Sequence, residues 1–536
     1  MKKNVLLIGI MILFLFVSSA PLSQGLKNKE FSLITLNGKT LYVGGSGPGN
    51  YTTIQDAIDD ADNGDNIFVY SSIYHEDILI NKSIDLIGED KENTIIDGCG
   101  QWYVVHIVAD NVTVKNFYIT NSTIYGTNSG IKIYGERENI TVYNNIIIDN
   151  FFGICIGDSY QYKRIYNVNI TNNYIVNNTY GIGLIEGQES IIFNNTFINN
   201  GIFILSTAPK ENIVKDNTIN GKPIVYLEDK SNKIVQSNVG QIILVNCEDI
   251  TISFQILNIK SEVGIQLIRC TNCNVINNQL SNKLYGIYSI CSDYTNIQGN
   301  QIENVTIGIQ LDSSDYNSIS FNSINDSRNS IDIGESIDIT ISENILTNGR
   351  IGIDFWHADG NKIIRNKINH FLDYGIQLYF ACNRNQILNN SVQNCSDAGI
   401  YIYGPGRIWW DLACVLNVIS GNEIKNNNLG VFLDEPSLTK VSFNNISKND
   451  IGVEVRSARY NIIFKNDIFE NKDEDAILKN SFLSKFDRNF WNETKRIHII
   501  KGGFYRYDFW GEIYYEVFPI IRFDWHAVKV PYNIAG

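Results

Sequence analysis

Apolar residues along this chain come in short alternating runs broken by Asn, Asp and Gly. Around Gly352, for example, Ile351, Ile353 and Phe355 alternate with other residues, Ile363 stands alone and Ile368 follows. Alternation with period two marks strands rather than helices. Each run is too short to bury a face by itself.

The runs also repeat in phase. A Gly-hydrophobic-x-hydrophobic pattern begins at Gly264, Gly286, Gly308, Gly352, Gly375, Gly399, Gly430 and Gly452, with Ser330 filling the one gap. Asn278, Asn300, Asn322, Asn344 and Asn366 follow one another at a constant interval of 22. Weaker copies reach back through Gly130, Gly153, Gly181 and Gly201, partnered by Asn145, Asn173, Asn195 and Asn217. Three short strands per repeat, wound into a coil and stacked on the next at ~4.8 Å, bury what one strand cannot. The fold class is therefore all-β: a right-handed parallel β-helix of about eighteen coils of about 22 residues. The Asn repeat reads as a structural ladder, because an amide donates to one coil, accepts from another and tolerates left-handed backbone at a corner.

A solenoid must cover its two open edges. At the front, Tyr51 to Ala61 predicts a short amphipathic helix opened by Thr52 or Thr53 and ending before Asn63-Gly64. At the back the repeat fades and aromatic residues crowd in, among them Trp491, Trp510 and Trp525. The expected layout is a signal peptide or uncleaved anchor over 1–25, an N-terminal cap over 41–76, the β-helix over 77–479 and a C-terminal cap over 480–536. Lys2, Lys3, the apolar run from Val5 to Val17 and Ser18-Ser19-Ala20 carry the first of these.

Composition narrows the partners. A net charge of −14 without a basic stretch disfavours nucleic acid. A membrane is expected to be met only through an uncleaved N-terminal segment. The 9 Cys permit disulfides in an exported chain. Cys247, Cys270 and Cys291 fall at similar phases with Cys273 nearby, and read as a disulfide or buried small side chains before a zinc site. Triplets at Asn111, Asn139, Asn169 and Asn304 are candidate glycosylation acceptors.

A resemblance follows from three stretches: Tyr51-Thr-Thr-Ile-Gln-Asp-Ala-Ile, Asn81-Lys-Ser-Ile-Asp-Leu-Ile-Gly and Thr94-Ile-Ile-Asp-Gly. They resemble secreted pectin-lyase-like β-helix proteins, and the repeats are similar to those of the NosD type. Gly221-Lys-Pro-Ile-Val-Tyr-Leu and Gly240-Gln-Ile-Ile-Leu-Val-Asn-Cys strengthen the likeness. The resemblance implies the fold over about residues 41 to 475, and for function either carbohydrate chemistry or an accessory role in copper-site maturation. The chain departs from a copper role, since both Met lie in the leading segment and the 6 His are scattered.

Counting from each repeat Gly, residues two and four places on should point away from the core and stack. One ladder reads Gln266, Tyr288, Gln310, Asp332, Asp354, Gln377, Tyr401, Phe432, Glu454. The other reads Ile268, Ile290, Asp312, Gly334, Trp356, Tyr379, Tyr403, Asp434, Arg456. Aromatics and carboxylates thus gather on one face, and a wider loop between Gly399 and Gly430 adds Trp409, Trp410 and Asp411. Asp312, Trp356, Tyr379, Tyr401, Tyr403, Trp409, Trp410 and Asp411 are the candidate carbohydrate-binding residues. Asp332 and Asp354, roughly 5 Å apart if stacked, are a candidate acid pair at the spacing of retaining glycosidases. They are also a candidate Ca²⁺ site or inert surface acids. No cofactor or metal ligand set is otherwise expected.

The leading expectation is a secreted, periplasmic or cell-surface protein that binds extracellular polysaccharide or envelope glycan without catalysis. The alternatives are a polysaccharide lyase or glycoside hydrolase, a NosD-like accessory protein and a structural or adhesive scaffold. The motifs of polygalacturonases and pectate lyases are absent from the sequence.

Overall fold

The computed structural model describes residues 38–158, 164–185, 187–206, 209–235, 238–405, 412–481, 483–491, 498–507, 513–524, 527–528 and 531–532. The leading segment 1–25 lies outside the described residues, as do Trp409, Trp410 and Asp411. The chain from Gly38 onward forms one compact unit. Nearly every element in it is a parallel strand, as the alternating pattern requires.

One coil shows the construction. Ser318–Ser320 forms the first wall; Ser323–Gly334 bends at left-handed Asp326 and supplies the second and third. Ile319, Ile324, Ile331 and Ile333 point inward and are fully buried. Adjacent coils stack in register, with Ser318 beside Thr340, Ser323 beside Ile345 and Asp332 beside Asp354. First-wall strands number eight coils in one stack, Thr40–Val43 through Ile213–Lys215, and twelve in a second, Ser231–Val235 through Lys485–Asp487. The described residues thus hold twenty coils, where the repeat markers predict about eighteen. The extra coils at the front lack the Gly and Asn markers.

The Asn repeat is the ladder its spacing predicts. Each ladder Asn sits buried at the corner between the first and second walls. The Asn322 backbone N–H and its Nδ2 donate to Asn344 Oδ1 at 2.9 and 3.0 Å, and Nδ2 also donates to Ile297 O at 2.9 Å. The same bonds run from Gln255 through Asn278, Asn300, Asn344, Asn366, Asn390, Asn422, Asn444 and Asn466 to Asn489. Every rung donates forward, so the last rung needs only an acceptor. That acceptor is Asp524, whose carboxylate takes Asn489 N at 2.8 Å, Asn489 Nδ2 at 3.0 Å and Trp491 Nε1 at 3.2 Å. At the front, Gln255 Oε1 has no donor among the described residues.

The left-handed residue at this corner is not the ladder Asn. It is the residue before it: Phe321, Glu343, Arg365, Phe443 and Lys465 all have φ between 53° and 58°. The ladder amide must point inward, and the turn is made one position earlier by a residue whose side chain faces solvent. The repeat Gly answers a different constraint. A Cβ on Gly308 would stand 2.4 Å from Ser330 O, and one on Gly430 2.5 Å from Gly452 O, so the backbones of neighbouring coils approach too closely for a side chain.

The two stacks meet at a seam that the repeat does not announce. After Thr218–Ile219 the chain reverses through Asn220-Gly221, both with positive φ, into Lys222–Glu228. Strands Gln241–Val245 and Ser261–Ile268 are buried on both faces. Ile242, Leu244, Ile265 and Leu267 serve the second core, while Ile243, Val245 and Ile268 pack onto the first. The edge of strand Ile202–Ile204 meets side chains instead of a strand. Gln241 Oε1 accepts Ile202 N at 3.1 Å and its Nε2 donates to Ile202 O at 2.6 Å; Gln266 treats Ile204 likewise at 3.2 and 2.6 Å. Glu262 accepts Gly181 N. A primary amide carries the same donor and acceptor as a peptide unit, so these glutamines stand in for an absent strand and close the edge.

Both ends are covered. Helix Ile54–Asp60, capped by Thr53, buries Ile54, Ala57 and Ile58 against the first core, and Glu76 accepts the N–H groups of Ile54 and Gln55 at 2.9 and 3.0 Å. At the other end His498–Tyr507 and Ile513–Asp524 pair antiparallel over the last coils. The 9 Cys are all free thiols. Cys247 and Cys270 share the phase expected of them, but the next in line is Ser292, whose Oγ accepts Cys270 N at 2.9 Å. Cys291 is one residue early, is left-handed and half-buried, and so leaves the row.

Two stability measurements check this account. Asn344→Ala removes the acceptor of Asn322 N–H and the donor to Ile319 O, and is expected to cost about 3–5 kcal/mol in urea unfolding. Lys362→Ala, exposed on the next coil, should stay within about 0.5 kcal/mol. Gln266→Leu strands the Ile204 N–H and C=O at the seam and should cost about 2–4 kcal/mol, measured in the same way.

Candidate functional site

Because register is fixed coil by coil, residues with the same count from the repeat Gly become vertical neighbours on the third wall. Gln266, Tyr288, Gln310, Asp332, Asp354, Gln377, Tyr401, Phe432 and Glu454 pair in this order. Asp312, Gly334, Trp356, Tyr379, Tyr403, Asp434 and Arg456 form the second row in the same pairings. From Gln310 and Asp312 onward both rows point away from the core, as counting predicts; Ile268 and Ile290, which counting also places in the second row, instead pack against the core of the first stack.

The structure brings Asp332 and Asp354 together and adds a residue that counting from the Gly does not reach. Asn329 Nδ2 donates to Asp332 Oδ2 at 3.0 Å and lies 3.3 Å from Asp354 Oδ2, so one amide nitrogen bridges the pair. Asp312, one coil before Asp332, accepts from Gln310 Nε2 at 2.9 Å. Among the described residues none of the three carboxylates forms an ion pair. Burial pushes all three above the usual carboxylate range. Asp332 rises to about 6, burial outweighing the Asn329 bond, and Asp354 to about 7 through burial and the Asp332 charge. An N–H donor occupies the space between the two acids that a chelated Ca²⁺ would take, so the pair does not offer a bare oxygen cage.

The aromatic residues are also assembled, but their rings are used differently from what a sugar-binding strip needs. Tyr401 lies between Tyr374 and Phe432, with centroids at 4.6 and 5.0 Å and near-parallel planes, and is 9% exposed. Tyr379 stacks on Tyr403 at 5.2 Å. Rings stacked along the solenoid axis turn their faces to one another and only edges outward. Trp356 is the exception: it is 44% exposed, with His357 edge-on at 4.5 Å. Burial raises Tyr374 and Tyr403 to about 12, so their hydroxyls stay protonated donors.

At the corner where the second and third walls meet, a hollow of about 580 Å³ opens among Arg328, Asn348, Arg350, His370 and Leu372. Arg350 is held by Asp373 at 2.5 Å. Farther along, Glu454 is neutralised by Arg456 at 2.8 Å and Lys479 at 3.1 Å. Uncompensated acidity on this wall is thus concentrated at Asp312, Asp332 and Asp354. Asn329 and the hollow escape sequence reading because they sit at the wall's corner. Their signal would have been the polar row Arg328 and Arg350, 22 apart.

The sequence matches the family described as "Periplasmic copper-binding protein (NosD)" over residues 223–350 and 319–513, and the family described as "Right handed beta helix region" over 103–253. No curated protein matches it. Similar solved structures include the Dettilon tailspike protein (14% identity, 76% of this chain and 67% of that one, TM-score 0.28). The catalytic domain of a GH87 α-1,3-glucanase with nigerose is 12% identical over 72% and 69%, TM-score 0.28. The periplasmic alginate epimerase AlgG is 10% identical over 74% and 83%, TM-score 0.29. Likeness at this level carries no argument about activity. The two NosD matches together run from 223 to 513, more than half of the 536 residues, and the chain belongs to the NosD family of right-handed parallel β-helix proteins.

Proposed function

We propose that the third wall binds an extracellular or envelope polysaccharide, laid across the wall from the hollow at Arg328 and Arg350, over Asp332 and Asp354, to Trp356. The observation that carries this reading is the open ring of Trp356 beside hydrogen-bonding carboxylates that form no ion pair among the described residues. From Arg328 to Gly334 the strand spans about 20 Å, room for several sugar rings. A pyranose stacks its C–H face on Trp356, and its hydroxyls donate to the acids. Trp409, Trp410 and Asp411 remain part of the proposed surface through the loop that carries them.

The protein acts outside the cytoplasm in this reading, in keeping with the charged-then-apolar N-terminus and the periplasmic description of its family. Among the described residues no helix is long and apolar enough to cross a membrane. The family description names copper, yet this wall offers carboxylates and aromatic rings, a poor set for a soft metal.

A second reading, hydrolysis or lysis of the same polymer, is favoured by one observation: two bridged acids whose raised pKa values suit proton transfer near neutrality. Release of reducing or unsaturated ends that disappears in Asp354→Asn would establish it.

Titration against a polysaccharide panel tests the leading reading. Trp356→Ala should weaken binding at least about tenfold, or ~1.4 kcal/mol, and unchanged affinity excludes this wall. The acids also make a stability prediction. Their folded pKa values lie above those of an unfolded Asp, so their contribution is most favourable below about pH 4 and is lost as pH rises through 6 to 7. Asp354→Asn should therefore stabilise the fold by about 1–3 kcal/mol at pH 8 and leave it unchanged at pH 4, measured by urea unfolding at both.

A further inference from the structure

Far from the third-wall face in sequence, the first stack assembles a different kind of cluster. Strand Ser72–His75 pairs in register with Thr94–Gln101, which makes His75 and Asp97 vertical neighbours. The next pairing slips: Asp97 faces Thr120, but Gln101 faces Ser122. Two extra residues therefore bulge out within Gly98-Cys99-Gly100, and both Cys99 and Gly100 are left-handed, with φ of 52° and 76°. Bulges re-aim side chains. This one carries Cys99 back over the pair.

His75 Nδ1 lies 3.6 Å from Cys99 Sγ and 3.3 Å from Asp97 Oδ2, and the three ligand atoms all lie within 4.8 Å of one another. Metal–ligand lengths of about 2.05 Å for nitrogen or oxygen and about 2.3 Å for sulfur, at a tetrahedral angle, put N and S roughly 3.6 Å apart and N and O roughly 3.4 Å apart. The trio already has that spacing. Asp97 is also preset, because its Oδ1 accepts Cys99 N at 2.9 Å and Asn121 Nδ2 at 2.8 Å, leaving Oδ2 toward His75. Such a second layer of bonds holds a ligand carboxylate in place. Cys99 and His75 are exposed, so a fourth position faces solvent.

We propose that His75, Asp97 and Cys99 form a three-ligand site for a borderline divalent cation of the zinc type, with its fourth position open to water or to a ligand. The site lies outside residues 223–513, which carry the family match, and does not depend on the polysaccharide reading. One nitrogen, one thiolate and one carboxylate match the donor preferences of such an ion and not those of Ca²⁺ or Mg²⁺. A plain thiol–imidazole hydrogen bond has a similar length, so the test reads the metal itself.

The full-length protein, kept reduced with a phosphine, is titrated with Co²⁺ and then with Zn²⁺. One equivalent of Co²⁺ should give a thiolate-to-cobalt absorption and the intense visible bands of tetrahedral cobalt, and Zn²⁺ should displace it. Cys99→Ser should abolish the thiolate band, His75→Ala should weaken Zn²⁺ binding at least tenfold, and Asn121→Ala roughly tenfold through the loss of positioning. Cys291→Ser, on the second stack, should change nothing. Thermal unfolding of each variant at the wild-type temperature shows that the fold is intact. A cobalt complex without a thiolate band, or a band that survives in Cys99→Ser, would overturn the proposal and leave the trio a hydrogen-bonded cluster only.

Discussion

Everything in this molecule depends on how one buried corner of each coil satisfies its backbone. Strand ladders pair most N–H groups with the next coil, but where the first wall turns into the second a peptide N–H faces the core with no strand opposite it. The amide of the next rung accepts that N–H, and its own N–H reaches back to a carbonyl of the coil before. At Asn344, one side chain thus satisfies a donor and an acceptor on the preceding coil, and through Nδ2 it also reaches the Asn366 amide on the next. This fixes each coil vertically, and register along all three walls follows.

That dependence explains what could be read from the sequence. Asn278 to Asn366 are visible because each rung has the same task and no other side chain has the same reach, acceptor and donor. Gln255 performs it once, at the open front, and Asp524 once, at the end where nothing remains to be donated to. With register set, counting from the Gly places Asp332 above Asp354 and Trp356 above Tyr379 in the correct order. The seam was not legible for the opposite reason. Gln241, Glu262 and Gln266 occur once each, in strands otherwise filled with Ile and Leu, and their partners at Gly181, Ile202 and Ile204 lie far away in sequence. Periodicity reports only what repeats.

The site was legible in position but not in chemistry. Spacing gives the rows; it does not give the burial that raises Asp332 and Asp354, nor the Asn329 amide that joins them. Nor does it say that stacked tyrosines hide their faces in one another, which leaves Trp356 as the open ring among the described ladder residues. The trio at His75, Asp97 and Cys99 depends on a two-residue slip that no period contains.

The forward direction of the Asn ladder has an evolutionary consequence. Each rung presents the same acceptor below and the same donors above, so an extra coil spliced in at any rung finds both neighbours ready, and a deleted coil leaves two compatible surfaces. Length is therefore free to drift in whole-coil steps, while an extra residue within a coil is absorbed as a local bulge, as between Gly349 and Ile351, where the pairing resumes in phase at Ile353 and Ile376. Such a chain behaves like a text read in fixed words. Duplication can lengthen it without rewriting it, and the outward rows stay free to acquire new chemistry.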